Sequence, residues 1–319
     1  MKDYDVSIIV PIYNVEKYIE KCATTLLEQD YNNIEYIFVN DCTPDSSMKI
    51  LKGIIERYPN RKDDIKIINN IKNSGSSLTR KYGLDASNGK YVLFVDSDDW
   101  INIDMVSKMY NAAESNDADI VCCDMILHYK NRQVYKKDRY RDVKNNDKLK
   151  ASVGGYILPS MTNKLIERKL LLNIVFKEFQ FGEDVYIMTQ LFYFSKNTIY
   201  IPEAFFHYNK LNYHSLSTKI DIRTVADIKD MYKSICEFLK SKGIYDELIK
   251  YHRTRLISVV FYNLNNDFVK NLKSIDKEAA NIWLILKNNK FSILKKVICL
   301  LPFIGLDRLF KFFRDIYKR

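Results

Sequence analysis

Five short apolar runs organise the first half of the chain: Val6–Val10, Tyr36–Val39, Ile65–Ile68, Tyr91–Val95 and Ile120–Cys123. Each is continuous rather than alternating, which suits strands buried on both faces of a mostly parallel sheet. Between the first two, apolar residues at Val15, Tyr18, Ile19, Cys22 and Leu26 fall on one face of a helix, with Asn14 as its expected N-cap. Helical spacing also fits Ser46–Arg57, Ser76–Ala86 and Ile103–Ser115. Strand–helix alternation of this kind specifies an open α/β sheet with helices on its faces.

The rest of the chain is less regular. Residues 125–160 are polar and tyrosine-rich, which predicts a hairpin and a mobile loop. A helix over Glu183–Ser195 and a strand over Thr198–Ile201 follow, then an Asn/Ser-rich stretch, Asn209–Lys219, expected to be a flexible loop. From Arg223 onward the pattern is helical. At 319 residues, this divides into a catalytic-type domain over 1–219, with halves of about 1–100 and 101–219, and a helical region over 220–319.

With 47% hydrophobic and 28% charged residues, the composition is that of a folded globular protein. Six cysteines include the neighbours Cys122 and Cys123 and no C-x-x-C spacing, which reads as buried thiols in a reducing compartment. The start, MKDYDVSIIVPIYNV, lacks the pattern of a signal peptide, and the longest strongly apolar run, Val297–Leu306, is half of what a membrane-spanning helix needs. A cytoplasmic location is therefore expected.

The formal charge is +10, but it is concentrated at one end. Residues 220–319 hold 20 Lys+Arg against 11 Asp+Glu, a net +9, and 287–319 alone carry nine basic and two acidic side chains, a net +7. The first 219 residues are close to neutral.

Tyr91-Val-Leu-Phe-Val-Asp96-Ser97-Asp98-Asp99-Trp100 runs an apolar strand into three carboxylates within four positions. Ligands of open α/β sheets bind beyond the carboxyl ends of the strands. Carboxylates gathered there are costly unless neutralised, and a hard cation such as Mg²⁺ or Mn²⁺ does so, held by one or two carboxylates and substrate phosphates. Taken alone, the same residues also read as a turn capping the following helix. Two neighbouring turns, Pro11-Ile12-Tyr13-Asn14 after the first strand and Asn40-Asp41-Cys42-Thr43 after the second, would share the crevice. A carboxylate at Asp41 could accept a hydrogen bond from a base, and Pro11 with Tyr13 could wall it. In Asn73-Ser-Gly75…Arg80…Gly83…Gly89-Lys-Tyr91, Gly75 opens a helix whose N-terminus favours anions, Arg80 adds a planar cation, Gly83 suits tight helix–sheet packing and Gly89 fits a helix C-terminus.

Taken together, these segments resemble the family-2 glycosyltransferases, inverting enzymes of the GT-A fold common in bacterial cell-surface polysaccharide synthesis. The resemblance is carried by P-x-Y-N at 11–14, the Asp-containing turn at 39–47, N-x-G…R-x-x-G…G-x-Y at 73–91, D-x-D-D at 96–99, Asn163-Lys164-Leu165 and Gly182-Glu183-Asp184, and covers roughly two-thirds of the chain. It implies transfer of a hexosyl or N-acetylhexosaminyl group from a nucleotide-sugar, most often UDP-linked, to a glycan or lipid-linked hydroxyl. By the same resemblance Asp41 and Arg80 read the base, Pro11 and Tyr13 line its pocket, Asp96 contacts the ribose, Ser97 belongs to the same donor-binding set, and Asp98 holds Mn²⁺ or Mg²⁺. Asp184, with Glu183 beside it, matches the catalytic base, and His207 and His214 fall in a segment that closes over the nucleotide-sugar. On the residues alone, Glu183 and Asp184 would equally complement a helix dipole. The sequence departs from the usual D-D-G-S turn, having Cys42 in place of glycine.

The basic end shows an apolar stripe at Leu306, Leu309, Phe310, Phe313 and Ile316, and another at Phe291, Leu294, Ile298 and Leu301. Arg308, Lys311, Arg314 and Lys318 flank the first, and Lys287, Lys290, Lys295 and Lys296 the second. Such helices either lie on the inner leaflet of an anionic membrane or pack on the rest of the protein with a solvated cationic face. A dehydrogenase reading fails because the first turn is PIYN, not G-x-G-x-x-G, and a nucleic-acid-binding reading leaves the acidic cluster unexplained. A catalytically silent nucleotide-sugar or carbohydrate-binding relative is the alternative.

Overall fold

The structure, a computed structural model, describes residues 3–142, 147–179, 182–212, 224–264, 267–288 and 291–317. Strands are β1 Val6–Ile12, β2 Ile34–Asn40, β3 Ile65–Asn69, β4 Tyr91–Phe94, β5 Trp100–Ile101, β6 Ile120–Tyr129, β7 Arg132–Lys136, β8 Lys164–Glu167 and β9 Thr198–Asn209. Helices are α1 Ile19–Leu27, α2 Ser47–Ile55, α3 Gly75–Asp85, α4 Met105–Ser115, α5 Lys148–Val153, α6 Arg168–Leu171 and α7 Glu183–Phe194. They continue with α8 Thr224–Ser241, α9 Tyr245–Asn263, α10 Phe268–Ile275, α11 Ile282–Leu286, α12 Ile293–Leu300 and α13 Asp307–Tyr317. Packing divides the chain into two compact units, Met1–Asn145 with Ser160–Glu178 and Gln190–Tyr213, and Asn146–Pro159 with Phe179–Thr189 and His214–Arg319.

The first unit is built on one sheet in the order β3-β2-β1-β4-β8-β6-β9-β5, with β7 paired to β6. Its first four strands are parallel, in register Ile9↔Ile37, Phe38↔Ile67 and Ile9↔Phe94. The five apolar runs all form strands, and β1, β2 and β4 are buried on both faces, as their lack of alternation requires. Beyond β4 the sheet is mixed: β8 runs antiparallel to β4 and β6, while β6 and β9 are parallel. The expected hairpin is β6–β7, pairing Leu127 with Val134.

Close packing explains two glycines. A Cβ on Gly83 would sit 2.4 Å from Ile9 Cγ2, so α3 lies directly on β1. Gly89 does not cap α3, which ends at Asp85; a Cβ there would meet Ser7 N and Oγ at 2.5 Å. Its N–H instead donates to Ser7 Oγ and to the buried Glu35, which also holds Lys66 at 2.8 Å.

Three local expectations are corrected. Asn14 does not cap α1: it takes a left-handed φ of 57°, donates its N–H to Thr43 Oγ1, and the helix starts only at Ile19. The short strand expected at Thr198–Ile201 runs on to Asn209, because Pro202 and Glu203 are bypassed where the partners jump from Cys123↔Ile201 to Asp124↔Ala204. A bulge of this kind lets a strand tolerate a proline that its sequence pattern reads as a stop. His207 therefore lies on a strand, not in a loop.

The second unit is helical among its described residues. Ile228, Leu256, Ile257, Phe261, Phe268, Leu272, Ile298 and Phe310 share one core, and Val185, Met231, Ile235 and Leu248 another. The apolar stripes read from the sequence are only partly buried. In α13 the buried residues are Phe310 and Arg314, whose guanidinium donates to the Leu264 carbonyl, while Leu309, Phe313 and Ile316 are exposed. In α12 Ile298 is buried as expected, but so is Lys295, and Leu294 faces out. Lys295 lies over Phe291, Tyr262 and Phe261 at 3.8–4.8 Å, and burial pushes its ammonium down to about 8. No cysteine is in a disulfide.

Candidate active site

Parallel pairing brings the carboxyl ends of β2, β1 and β4 side by side. Ile12 pairs with Asn40, the Asp41 N–H donates to the Ile12 carbonyl, and the Val95 N–H donates to Ile9. Pro11 lies near the end of β1, paired with Val39, and Tyr13 follows the strand and is 48% exposed.

Asp41 is almost fully buried, yet its carboxylate is well supplied. It accepts Asn70 Nδ2 at 2.7 Å, the Ser74 N–H at 2.8 Å and the Gly75 N–H at 3.0 Å. Gly75 has φ of +78°, a conformation that favours glycine, and turns its N–H toward Asp41. Asp41 thus fixes the N-terminus of α3. Cys42 holds a left-handed φ of 56° where the resemblance has glycine, and its Sγ donates to the Asn70 carbonyl. Asp45 braces the turn by accepting the Glu16 N–H and the hydroxyls of Thr43 and Ser47.

One turn into α3, Arg80 Nη2 donates to Asp96 Oδ1 at 2.6 Å, with the arginine side chain 5% exposed and the aspartate 31%. Two residues chosen from separate motifs are therefore held by each other. Ser97 is buried in the same turn. Asp98 Oδ2 accepts Asn212 Nδ2 at 2.8 Å, and Asp99 Oδ1 accepts the Asn209 N–H at 2.7 Å. Burial, reinforced by Asp96, pushes the Asp98 carboxyl up to about 6. Burial likewise pushes Asp99 up, with Asp98 and Asp96 adding to it, and Asp99 Oδ2 has no hydrogen-bond partner among the described residues.

Trp100 follows the acidic turn and packs against His207 at 5.4 Å and His128 at 4.4 Å, with Lys21 Nζ 3.1 Å from its ring. His207 Nδ1 and His128 Nε2 share a hydrogen bond of 2.8 Å, and His207 Nε2 bonds Asn102 Oδ1 at 2.6 Å. Burial, then the neighbouring charges of His128 and Lys21, holds His207 down to about 4. This ring is neutral near pH 7 and is tied on both nitrogens. His214 lies outside the described residues.

Glu183 and Asp184 open α7 in the second unit, in its first turn. Gly182 precedes them with φ of +81°, and a Cβ there would approach Met231 at 3.3 Å.

Residues 7–174 match the profile of Glycosyl transferase family 2, a stretch that runs from β1 past β8. The chain belongs to glycosyl transferase family 2. Glycosyltransferase GlyA of Streptococcus pneumoniae is 31% identical to this chain over 218 residues, 65% of its length. The chain spans 30% of GlyA's length. Staphylococcus aureus TarS 1-349, solved with UDP-GlcNAc, superposes with a TM-score of 0.66 at 19% identity, covering 98% of this chain and 91% of that one. The mannosyltransferase PcManGT of Pyrobaculum calidifontis, solved with GDP-Man and Mn²⁺, superposes with a TM-score of 0.58 at 17% identity, over 97% and 84% of the two chains. Both share the GT-A-like fold of this chain.

The acidic turn of this family-2 chain fits a divalent cation. Asp99 has a buried oxygen without a hydrogen-bond partner among the described residues, and Asp98 resists ionisation because it is buried, with Asp96 adding to the effect. Among the described residues no three His, Cys, Asp or Glu side chains form a metal cage. Cations that take most of their ligands from substrate phosphates and water do not require one. Sequence reasoning missed Asn209, Asn212 and Asn70 as carboxylate partners. The Asn-rich composition near 209–212 hinted only at Asn209 and Asn212, which reach their aspartates across more than a hundred residues, and Asn70 reaches Asp41 across 29; separations of this size leave no local pattern.

Proposed function

We propose that this family-2 glycosyltransferase is a metal-dependent inverting enzyme. It would move a hexosyl or N-acetylhexosaminyl group from a nucleotide-sugar, in our reading UDP-linked, to a hydroxyl of a glycan or lipid-linked acceptor in surface polysaccharide synthesis. The observation that carries this reading is the convergence of Asp41, the Arg80–Asp96 pair and Asp98 at the adjoining ends of β2, β1 and β4. In an open sheet that is where nucleotides bind.

In this scheme Pro11 and Tyr13 flank the base, Asp41 and Arg80 read its edge, Asp96 meets the ribose, and Ser97 completes the donor-binding turn. Asp98 would hold Mn²⁺ or Mg²⁺, which would stabilise the negative charge that develops on the departing diphosphate. Asp184, with Glu183 beside it, accepts the proton of the attacking hydroxyl. The new O–C bond forms at the anomeric carbon as the bond to phosphate breaks on the opposite face, and inversion follows. Residues 1–219 carry this chemistry. We place the protein in the cytoplasm, peripheral at the inner leaflet, with 287–319 as the membrane-facing segment.

A thermal-shift panel of UDP-, GDP- and dTDP-sugars with and without Mn²⁺ tests the reading. Stabilisation by one UDP-sugar should require the metal and vanish in Asp98→Ala. Asp184→Ala should keep that stabilisation and lose transfer. Metal-dependent binding without hydrolysis or transfer of any UDP-sugar would make the chain a silent binding relative instead.

A further inference from the structure

The C-terminal helices leave open much of the apolar surface that the sequence pattern assigns to them. Of α13, only Phe310 and Arg314 are buried. At 3.6 residues per turn, Phe313, Leu309, Ile316 and Phe312 follow one another over an arc of about 100° beside that buried edge. Phe312 is 59% exposed and Ile316 54%. The next position round the helix from Phe312 is Arg308, and Lys311 lies further on; both are exposed. In α12 Lys295, Ile298 and Cys299 face the core, while Leu294, Val297 and Ile293 form the adjoining outward arc, Ile293 at 83% exposure. Lys296 borders that arc as Arg308 borders the other. Ile304, in the turn between the two helices, is also exposed.

We propose that the outward arcs of α12 and α13 seat the chain on an anionic lipid surface. Apolar arcs edged by Lys and Arg match the boundary between acyl chains and headgroups, where the rings and aliphatic groups enter and the cations stay with phosphates. The acidic side chains here are few: Asp307 is exposed at the start of α13, and Asp315 is held by Arg314 at 2.7 Å. A second copy of the chain is a poorer occupant, because two segments of net +7 would face each other. A polyanion such as nucleic acid would meet the cations but leave the apolar arcs in water. No helix of the described residues is long and apolar enough to cross a membrane, so the contact is a surface one. This rests on the reading of 287–319 as membrane-facing and adds the residues that touch lipid; it does not depend on the transferase chemistry.

The test is cosedimentation of the full chain with phosphatidylcholine vesicles, with and without phosphatidylglycerol, at low and high salt. Binding should be at least about tenfold stronger on the anionic vesicles and should weaken with salt. Ile293→Ser combined with Phe312→Ser should abolish it while the thermal unfolding midpoint and nucleotide-sugar stabilisation stay unchanged, since both side chains are exposed. Equal binding to neutral vesicles, or undiminished binding by the double variant, overturns the proposal. So does a concentration-dependent dimer in sedimentation that the double variant dissolves, which would assign the arcs to a second copy. Loss of nucleotide-sugar stabilisation in the parent chain would count against the transferase reading alone.

Discussion

Asn212 Nδ2 donates to Asp98 Oδ2 over 2.8 Å, tying the segment that follows β9 to the acidic turn that follows β4. The bond aims one carboxylate oxygen and favours its charged form against the burial that opposes it. On the proposed reading of Asp98 as a metal ligand, Asn212→Leu should weaken nucleotide-sugar binding in the presence of Mn²⁺ by about tenfold, the usual scale for losing a partner of such a carboxylate. Titration of Mn²⁺ against the thermal shift of the UDP-sugar complex reads it, and unchanged metal affinity would refute it.

Arg80 and Asp96 form the most enclosed ion pair of the crevice. Arg80→Ala leaves Asp96 without that cation beside Asp98 and should cost about 2–3 kcal/mol in urea unfolding, with Arg80→Lys recovering part of it. Equal midpoints for the alanine and parent proteins would show the pair to be energetically idle.

Lys164 and Asp138 are both fully buried and 3.2 Å apart, and Asp138 also accepts Asn163 Nδ2 and the Tyr140 N–H. Lys164→Met leaves the buried carboxylate without its counter-charge and should destabilise the first unit by about 3–5 kcal/mol. Replacing Asp138 by Asn in that background should restore some of the loss, measured as a double-mutant cycle.

Two glycines should respond in opposite directions. Gly89→Ala drives a Cβ to 2.5 Å from Ser7 N, backbone that cannot rotate away, and should cost about 2–3 kcal/mol. Gly53, exposed within α2 and with nothing within 4 Å of where a Cβ would stand, should gain about 0.5–1 kcal/mol as Ala. Chemical denaturation of the two variants compares them directly.

His252 is buried, stacks on Tyr232 at 4.1 Å and bonds that residue's carbonyl through Nε2. Burial pushes its pKa down to about 3. Below about 6.5 the unfolded chain takes up a proton that the folded chain refuses, so stability falls as pH drops from there toward 3. The limiting slope is about 1.4 kcal/mol per pH unit. His252→Phe should flatten stability between pH 7 and pH 5, and an undiminished slope would place the acid sensitivity elsewhere.

The parallel half of the sheet was legible because its strands are buried on both faces, so their sequences are continuous apolar runs bounded by turns. Gly83 was legible for the same reason, since close approach of helix and sheet excludes a side chain. β9 was not: Pro202 interrupts its pattern, and only pairing with β6 carries the strand through to His207 and Asn209. Asn14 misled because a capping residue type was present while the neighbouring turn, through Thr43, held its backbone elsewhere.

The acidic turn, the glycine-opened helix and the concentration of charge after residue 219 are properties of the sequence by itself, because each is local and follows from residue type and spacing. Which partners those groups take was decided by the tertiary structure. Asp41 is held by the start of α3, Asp98 by Asn212 and Asp99 by Asn209, contacts that depend on strand order rather than proximity in the chain. The same holds for the basic tail. Periodicity marks α12 and α13 as amphipathic, but a period cannot say how wide an arc the core will cover. Packing buries Phe310, Arg314, Lys295 and Ile298, and leaves Phe312, Ile316, Ile293 and Val297 facing outward.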